Sequence, residues 1–316
     1  MMKKRSTRAT GYTMAALAAS LWGSLGILGT ILGGYGLSPL QVATLRAGMA
    51  FLLLGLALAL GGRQNFRVGA IDLAFYALYG LVSVAAFYVV YMMAIMRTGV
   101  GTAAMLLYTA PAYVVILAAL LWGEPLTRTK WLSLVLAVAG CALVVGTPAP
   151  GREAPLTFEP VGVMAGLASG LTYALFTVFG HYSLARHSAW TTLFYALGWG
   201  SLFLALSCWY AAPYPRLPLR AWAWVLALAI GPTLLAYYLY LQALLRVEAG
   251  RASIVCTVEP LVACLLAFLI LGETMTLLQG AGGLLLLTGV ALIQRERTED
   301  NALAGDESGI PGRQPG

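Results

Sequence analysis

The sequence predicts an all-α membrane protein of ten transmembrane helices, arranged as two inverted five-helix repeats, and three observations carry that prediction. The chain of 316 residues is 60% hydrophobic and only 10% charged, against roughly 25% charged in a typical soluble domain. Such a chain cannot cover a water-facing surface and needs lipid as part of its solvent. Its apolar residues gather into ten runs of spanning length. The sequence also aligns with itself at a constant offset of 149 residues, Tyr88 meeting Tyr237 and Pro111 meeting Pro260.

A helix crosses a hydrocarbon core of about 30 Å with roughly 20 residues. Runs of that order lie at 11–33, 40–61, 71–96, 100–121, 130–147, 160–182, 189–211, 221–245, 250–271 and 277–294. Met1 to Thr10 and the apolar stretch behind it resemble a secretory signal, but the stretch continues to about Gly33. That is long for a signal core, so it is read as the first span. Gly34 to Pro39 and Gly61 to Arg67 close the first two spans, and a short break at Arg97–Gly99 divides the third from the fourth. Gly123 to Lys130 precedes the fifth, Pro148 to Pro160 separates the halves, and Arg246–Gly250 divides the eighth from the ninth. The organisation is a first repeat over 11–147, an external linker over 148–159, and a second, inverted repeat over 160–294. Residues 295–316 form a polar tail whose composition predicts disorder.

Basic residues set the expected orientation. Counted outward from a cytoplasmic N-terminus, the cytoplasmic segments hold Lys3, Lys4, Arg5, Arg8, Arg63, Arg67, Arg128, Lys130, Arg186, Arg246, Arg251 and the basic tail. The other side holds Arg97, Arg152, Arg216 and Arg220. This positive-inside bias places both termini in the cytoplasm. The net charge of +7 is scattered singly through short loops, which fits membrane orientation and lipid contact, not nucleic acid. Cys141, Cys208, Cys256 and Cys264 fall in apolar runs without metal-ligand spacing and read as small packed hydrophobes.

The repeat extends over several helices. Tyr88, Tyr91, Ala94 and Arg97 meet Tyr237, Tyr240, Ala243 and Arg246, while Gly123, Glu124 and Thr127 meet Gly272, Glu273 and Thr276. Five spans per unit is an odd number, so the second unit enters the membrane from the opposite side. Inverted repeats related by an in-plane pseudo-twofold are characteristic of secondary transporters.

Particular residues then resemble a known family. Trp22-Gly23, Leu45-Arg46, Pro111…Gly123-Glu124…Thr127 and Glu259-Pro260…Leu271-Gly272-Glu273…Thr276…Gly280 resemble the EamA-type family of the drug/metabolite transporter superfamily, over about residues 11–294. The resemblance implies a ten-helix inner-membrane transporter that commonly exports amino acids or related metabolites, as YddG-like exporters do.

Pro111 and Pro260 are expected to kink their helices, because proline removes an N–H and clashes one turn back. Gly123-Glu124 and Gly272-Glu273 read as turn elements at span ends. Glu259 lies about ten residues into the ninth span, where an ionisable group faces a cavity or a partner. It is either a coupling carboxylate or a static anchor. Arg46, inside the second span, is the other strongly charged group well within a helix, and no lysine is. Tyr88 with Tyr91, and Tyr237 with Tyr240, recur at i, i+3 and share a helix face. With Trp22, Tyr108, Tyr173 and Gln242 they make up the expected substrate-binding set, a half-polar, half-aromatic cavity at the repeat interface. His181 and His187 read as interface residues.

The expected function is alternating-access export of an amino-acid-like small molecule through the inner membrane, with a monomer compatible with the task. No nucleotide loop, metal spacing or nucleophile–base pair is present in the sequence, so neither a cofactor nor catalysis is expected. Exchange of phosphorylated sugars or nucleotide-sugars would want several buried cations. An intramembrane enzyme would need a catalytic set around Glu259 or His181.

Overall fold

The computed structural model describes residues 2–146, 159–208, 213–272 and 275–307. The expected linker, except Glu159, lies outside the described residues, as do Glu273 and residues 308–316. Among the described residues there are helices and no strands. Nine helical stretches are long and apolar enough to cross a membrane: Arg8–Gly33, Pro39–Gly61, Ala70–Leu107, Arg128–Gly146, Pro160–Leu184, Ala189–Cys208, Leu219–Leu244, Ala249–Ile270 and Leu277–Arg295. Ala110–Trp122 is a shorter apolar helix.

In chain order the helices are α1 (Met2–Gly23), α2 (Leu25–Gly33), α3 (Pro39–Gly61), α4 (Ala70–Gly80), α5 (Phe87–Leu107), α6 (Ala110–Trp122) and α7 (Arg128–Gly146). The second half holds α8 (Pro160–Leu184), α9 (Ala189–Cys208), α10 (Leu219–Leu228), α11 (Ala236–Leu244), α12 (Ala249–Cys256), α13 (Val258–Leu271) and α14 (Leu277–Glu307). Helix α3 illustrates the solvent logic. Ala47, Ala50, Leu54 and Leu58 are buried, while Leu52, Leu56 and Leu60 are exposed. A helix apolar on both faces is suited to protein on one side and lipid on the other. Its start is set by a capping box, in which Ser38 Oγ accepts from the Gln41 N–H and Gln41 Oε1 accepts from the Ser38 N–H.

The 149-residue offset reappears in the irregularities of the backbone. A π-helical turn at Leu81–Ala86 lies between α4 and α5, and another at Ala229–Leu235 lies between α10 and α11. The break from α5 to α6 at Tyr108–Thr109 matches that from α12 to α13 at Thr257. Gly123 (φ 66°) and Gly272 (φ 68°) end α6 and α13 in the left-handed region, which glycine enters without a Cβ clash. These are positions where departures from α geometry depend on local sequence, so two related halves repeat them.

Helices α7 and α14 pack along their length. A Cβ at Gly140 would meet the Gly282 carbonyl oxygen at 2.6 Å, and one at Gly289 would meet the Ser133 oxygen at 2.7 Å. Small residues let membrane helices approach this closely. The other main helix pairs are α5 with α8, α3 with α9, and α1 with α11 and α13.

Two helices run past the limits of their apolar runs. Helix α14 continues past 295 to Glu307. Its Arg, Glu, Ala and Leu content favours a helix even without burial. Helix α5 extends to Leu107 across the break read at Arg97–Gly99, and Gly99 (φ 80°, ψ 164°) is a non-helical kink within it. That conformation is essentially restricted to glycine.

Candidate functional site

Helix breaks create the site. Helix α1 stops at Gly23, and the Ser24 hydroxyl donates to the Leu21 carbonyl at 2.7 Å. At the other two breaks Thr109 Oγ1 donates to the Leu106 carbonyl and Thr257 Oγ1 to the Ile254 carbonyl, each at 2.6 Å. Pro111 and Pro260 follow in the first turns of α6 and α13, where a missing N–H is tolerated. The irregular backbone is thus kept inside protein.

A cavity of about 1140 Å³ lies among these breaks, slightly larger than the usual range for small-molecule sites. Its lining runs from Tyr173, Tyr237 and Glu259 to Gly33, Gly101, Gly146 and Gln279 at one end of the bundle. Trp22, Tyr88, Tyr91, Tyr108, Tyr173 and Tyr237 all line it, with Arg46, Glu259 and Pro260. Trp22 sits edge-on to Tyr173 and Tyr237, with ring centroids 6.2 and 5.3 Å away. Phe87 stacks on Tyr91 at 5.8 Å.

Among the described residues, two charged groups face this space. Arg46 is 5% exposed, and its Nη1 donates to Thr233 Oγ1 at 3.1 Å. Its guanidinium lies over the Tyr88 ring, 5.1 Å from the centroid. The π-helical turn positions Thr233, whose hydroxyl donates to the Leu228 carbonyl at 2.8 Å. Glu259 lies in the first turn of α13, a favourable place for a carboxylate. The Tyr173 hydroxyl donates to its Oε2 at 3.5 Å, and the Tyr108 hydroxyl also reaches it. The buried Trp22 Nε1–H has no acceptor among the described residues.

Three predicted residues sit elsewhere. Tyr240 is packed behind Trp22 and shares a 2.6 Å hydrogen bond with Thr177. Gln242 Oε1 accepts from Arg246 Nη1 at 2.8 Å and does not line the cavity. Pro111 lines a small adjoining pocket with Tyr108, Ser253 and Glu259. The sequence reading missed Gly26, Gly29, Thr30 and Gly33, which form the α2 wall. It also missed that Lys130 and Arg251 are buried. They lie outside the cavity, so among the described residues Arg46 is the cation of its lining. Glu124 is more than a turn element: it accepts from Lys130 and from the Ala249 and Gly250 N–H groups of α12. The His181 ring lies against Trp122 at a 42° tilt with centroids 4.2 Å apart, and His187 Nε2 lies 3.2 Å from Asp72 Oδ2.

The model of the EamA-like transporter family matches residues 9–146 and again 160–295. A relative from Archaeoglobus fulgidus, named an uncharacterized transporter, is 34% identical over 90% of this chain and 97% of its own. A probable terminal-alkyne amino-acid exporter from Streptantibioticus cattleyicolor is 28% identical over 84% of this chain and 86% of its own. The inner membrane transporter YicL of Salmonella typhimurium, also named uncharacterized, is 27% identical over 91% and 96%. One solved crystal structure superposes with a TM-score of 0.77 at 19% identity, covering 90% of this chain and 96% of that one, and shares the fold. Two matched copies in one multi-pass chain, with relatives that are themselves transporters, lead to one conclusion: this protein belongs to the EamA-like transporter family.

Proposed function

We propose that the protein is a secondary exporter of amino acids or similar small amphipathic metabolites, working by alternating access across the inner membrane. Ten spans form two inverted repeats in this reading, with Gly99 dividing the third from the fourth. Both termini are cytoplasmic by the charge bias, so the cavity opens to the outside. The observation that carries the reading is that Arg46 and Glu259 face one aromatic-walled cavity. A guanidinium binds a carboxylate well and a carboxylate binds an ammonium, so the two charges suit a zwitterion. The aromatic walls suit its side chain. The likeness to an amino-acid exporter adds support. A sugar-phosphate substrate fits less well, because a single lining arginine offers little to a phosphate. A transporter also releases its cargo chemically intact, which separates it from an intramembrane enzyme.

Calorimetric titration of the purified protein with phenylalanine, phenethylamine and 3-phenylpropionate tests this. Phenylalanine should bind at least about tenfold more tightly than either analogue, as loss of one charge-assisted hydrogen bond predicts. Equal affinity for all three, or none for any, would sink the zwitterion reading.

A further inference from the structure

Four charged side chains are clustered at the end of the bundle opposite the cavity mouth. Lys130, at the start of α7, is 1% exposed and donates from Nζ to Glu124 Oε2 at 3.3 Å and Glu248 Oε2 at 3.1 Å. Glu248 Oε2 also accepts from Arg251 Nε at 3.0 Å. Arg251 is 2% exposed, and its Nη1 donates to the Ile293 carbonyl of α14 at 3.0 Å. Glu124 accepts from the N–H groups of Ala249 at 2.8 Å and Gly250 at 3.2 Å. Burial opposes the Glu248 charge, but Arg251 and Lys130 outweigh it and hold the carboxyl below its usual range.

The cluster has two acids and two bases, and it crosses between the repeats. Glu124 and Lys130 belong to the first half, Glu248, Arg251 and Ile293 to the second. A neutral buried network of this kind contributes little net stability against an apolar replacement. Removing one partner, however, leaves an uncompensated buried charge, so the network is sensitive to any motion that separates its members. The repeat does not supply a second copy. At the offset of 149 residues, Lys130 corresponds to Gln279, Glu248 to Gly99 and Arg251 to Thr102. Glu273, outside the described residues, corresponds to Glu124 and is the one position of the four that keeps a charge. When the halves exchange conformations, the same network cannot re-form at the cavity mouth.

We propose that Glu124, Lys130, Glu248 and Arg251 form a one-sided latch. It holds this end shut, makes the conformation open at the opposite end the resting state, and must be separated in every transport cycle. The latch rests on the alternating-access reading above and adds to it an energetic difference between the two states. A ligand can shift such an equilibrium only by its differential affinity. A latch on one side therefore raises the interaction energy that cargo must supply to open that side.

Cys264 offers a native reporter, because it lines the cavity and is partly exposed, while Cys141, Cys208 and Cys256 are buried. Its reaction with a small cationic methanethiosulfonate is measured from each face, in right-side-out and inside-out vesicles. The unaltered protein should react from the cavity-mouth side and slowly from the latch side. Lys130→Gln should raise the latch-side rate about tenfold or more, because that rate reads the minor population directly. The charge-balanced pair Lys130→Gln with Glu124→Gln leaves no unpaired lysine and should show the same gain, even where the single variant folds poorly. Wild-type rates from both faces in the folded, charge-balanced protein would overturn the latch. Reaction of the unaltered protein from neither face, or equally from both, would overturn alternating access at this cavity and the latch with it.

Discussion

A buried donor without an acceptor costs about 1–3 kcal/mol, and Trp22 holds one in the wall of the cavity. Its ring is nonetheless well packed against Tyr237 and Tyr240. A bound acceptor such as a carboxylate oxygen would satisfy that N–H. Trp22→Phe separates the two roles. It loses ring contacts but also removes the unsatisfied N–H, so thermal stability in detergent should shift by no more than about 3 °C. Amino-acid affinity should fall about tenfold or more, as expected for one charge-assisted hydrogen bond. Unchanged affinity at unchanged stability would assign Trp22 to packing. Residue by residue, the site was partly readable. Tyr88 and Tyr91 share a face by their i, i+3 spacing, and both reach the cavity. Tyr237 and Tyr240 have the same spacing, yet Tyr240 turns away to Thr177. Spacing fixes which side chains share a face but not what that face meets. Gly26, Gly29 and Gly33 gave no signal, because a glycine wall is recognised only by the empty space beside it.

At the scale of elements, the apolar runs were legible because membrane thickness sets a length and breaks carry Gly, Pro and charge. The repeat was legible because Pro, Glu and paired Tyr recur at one offset. The Lys130 cluster was not, since its two halves lie 118 residues and more apart in the chain and only the fold brings them together. Pairing of α7 with α14 likewise follows from structure. Gly140 and Gly282 face each other so closely that a side chain at either would meet backbone. Gly140→Val should therefore destabilise the protein by about 1–3 kcal/mol, as overpacking does, measured as a lower unfolding temperature in detergent. Its effect on substrate affinity in protein that remains folded should be small, because neither glycine lines the cavity. Unaltered thermal stability would show that the two helices separate without cost.

The whole molecule combines an aromatic cavity reaching one end, a buried ionic network at the other, and helix breaks repeated in both halves. In the proposed reading the halves are inverted, and inverted halves with matching irregularities can exchange shapes, which moves access from one end to the other without moving the site. Transport in that reading is an exchange of conformations around a bound solute, and not flow through an open pore. Counterflow in liposomes tests this most directly. Vesicles containing the purified protein are loaded with unlabelled phenylalanine and diluted into a trace of labelled phenylalanine. The account predicts transient accumulation of label above its external concentration, abolished when Glu259→Gln replaces the cavity carboxylate. Label that never exceeds simple equilibration, or that equilibrates no faster than in protein-free vesicles, would contradict it.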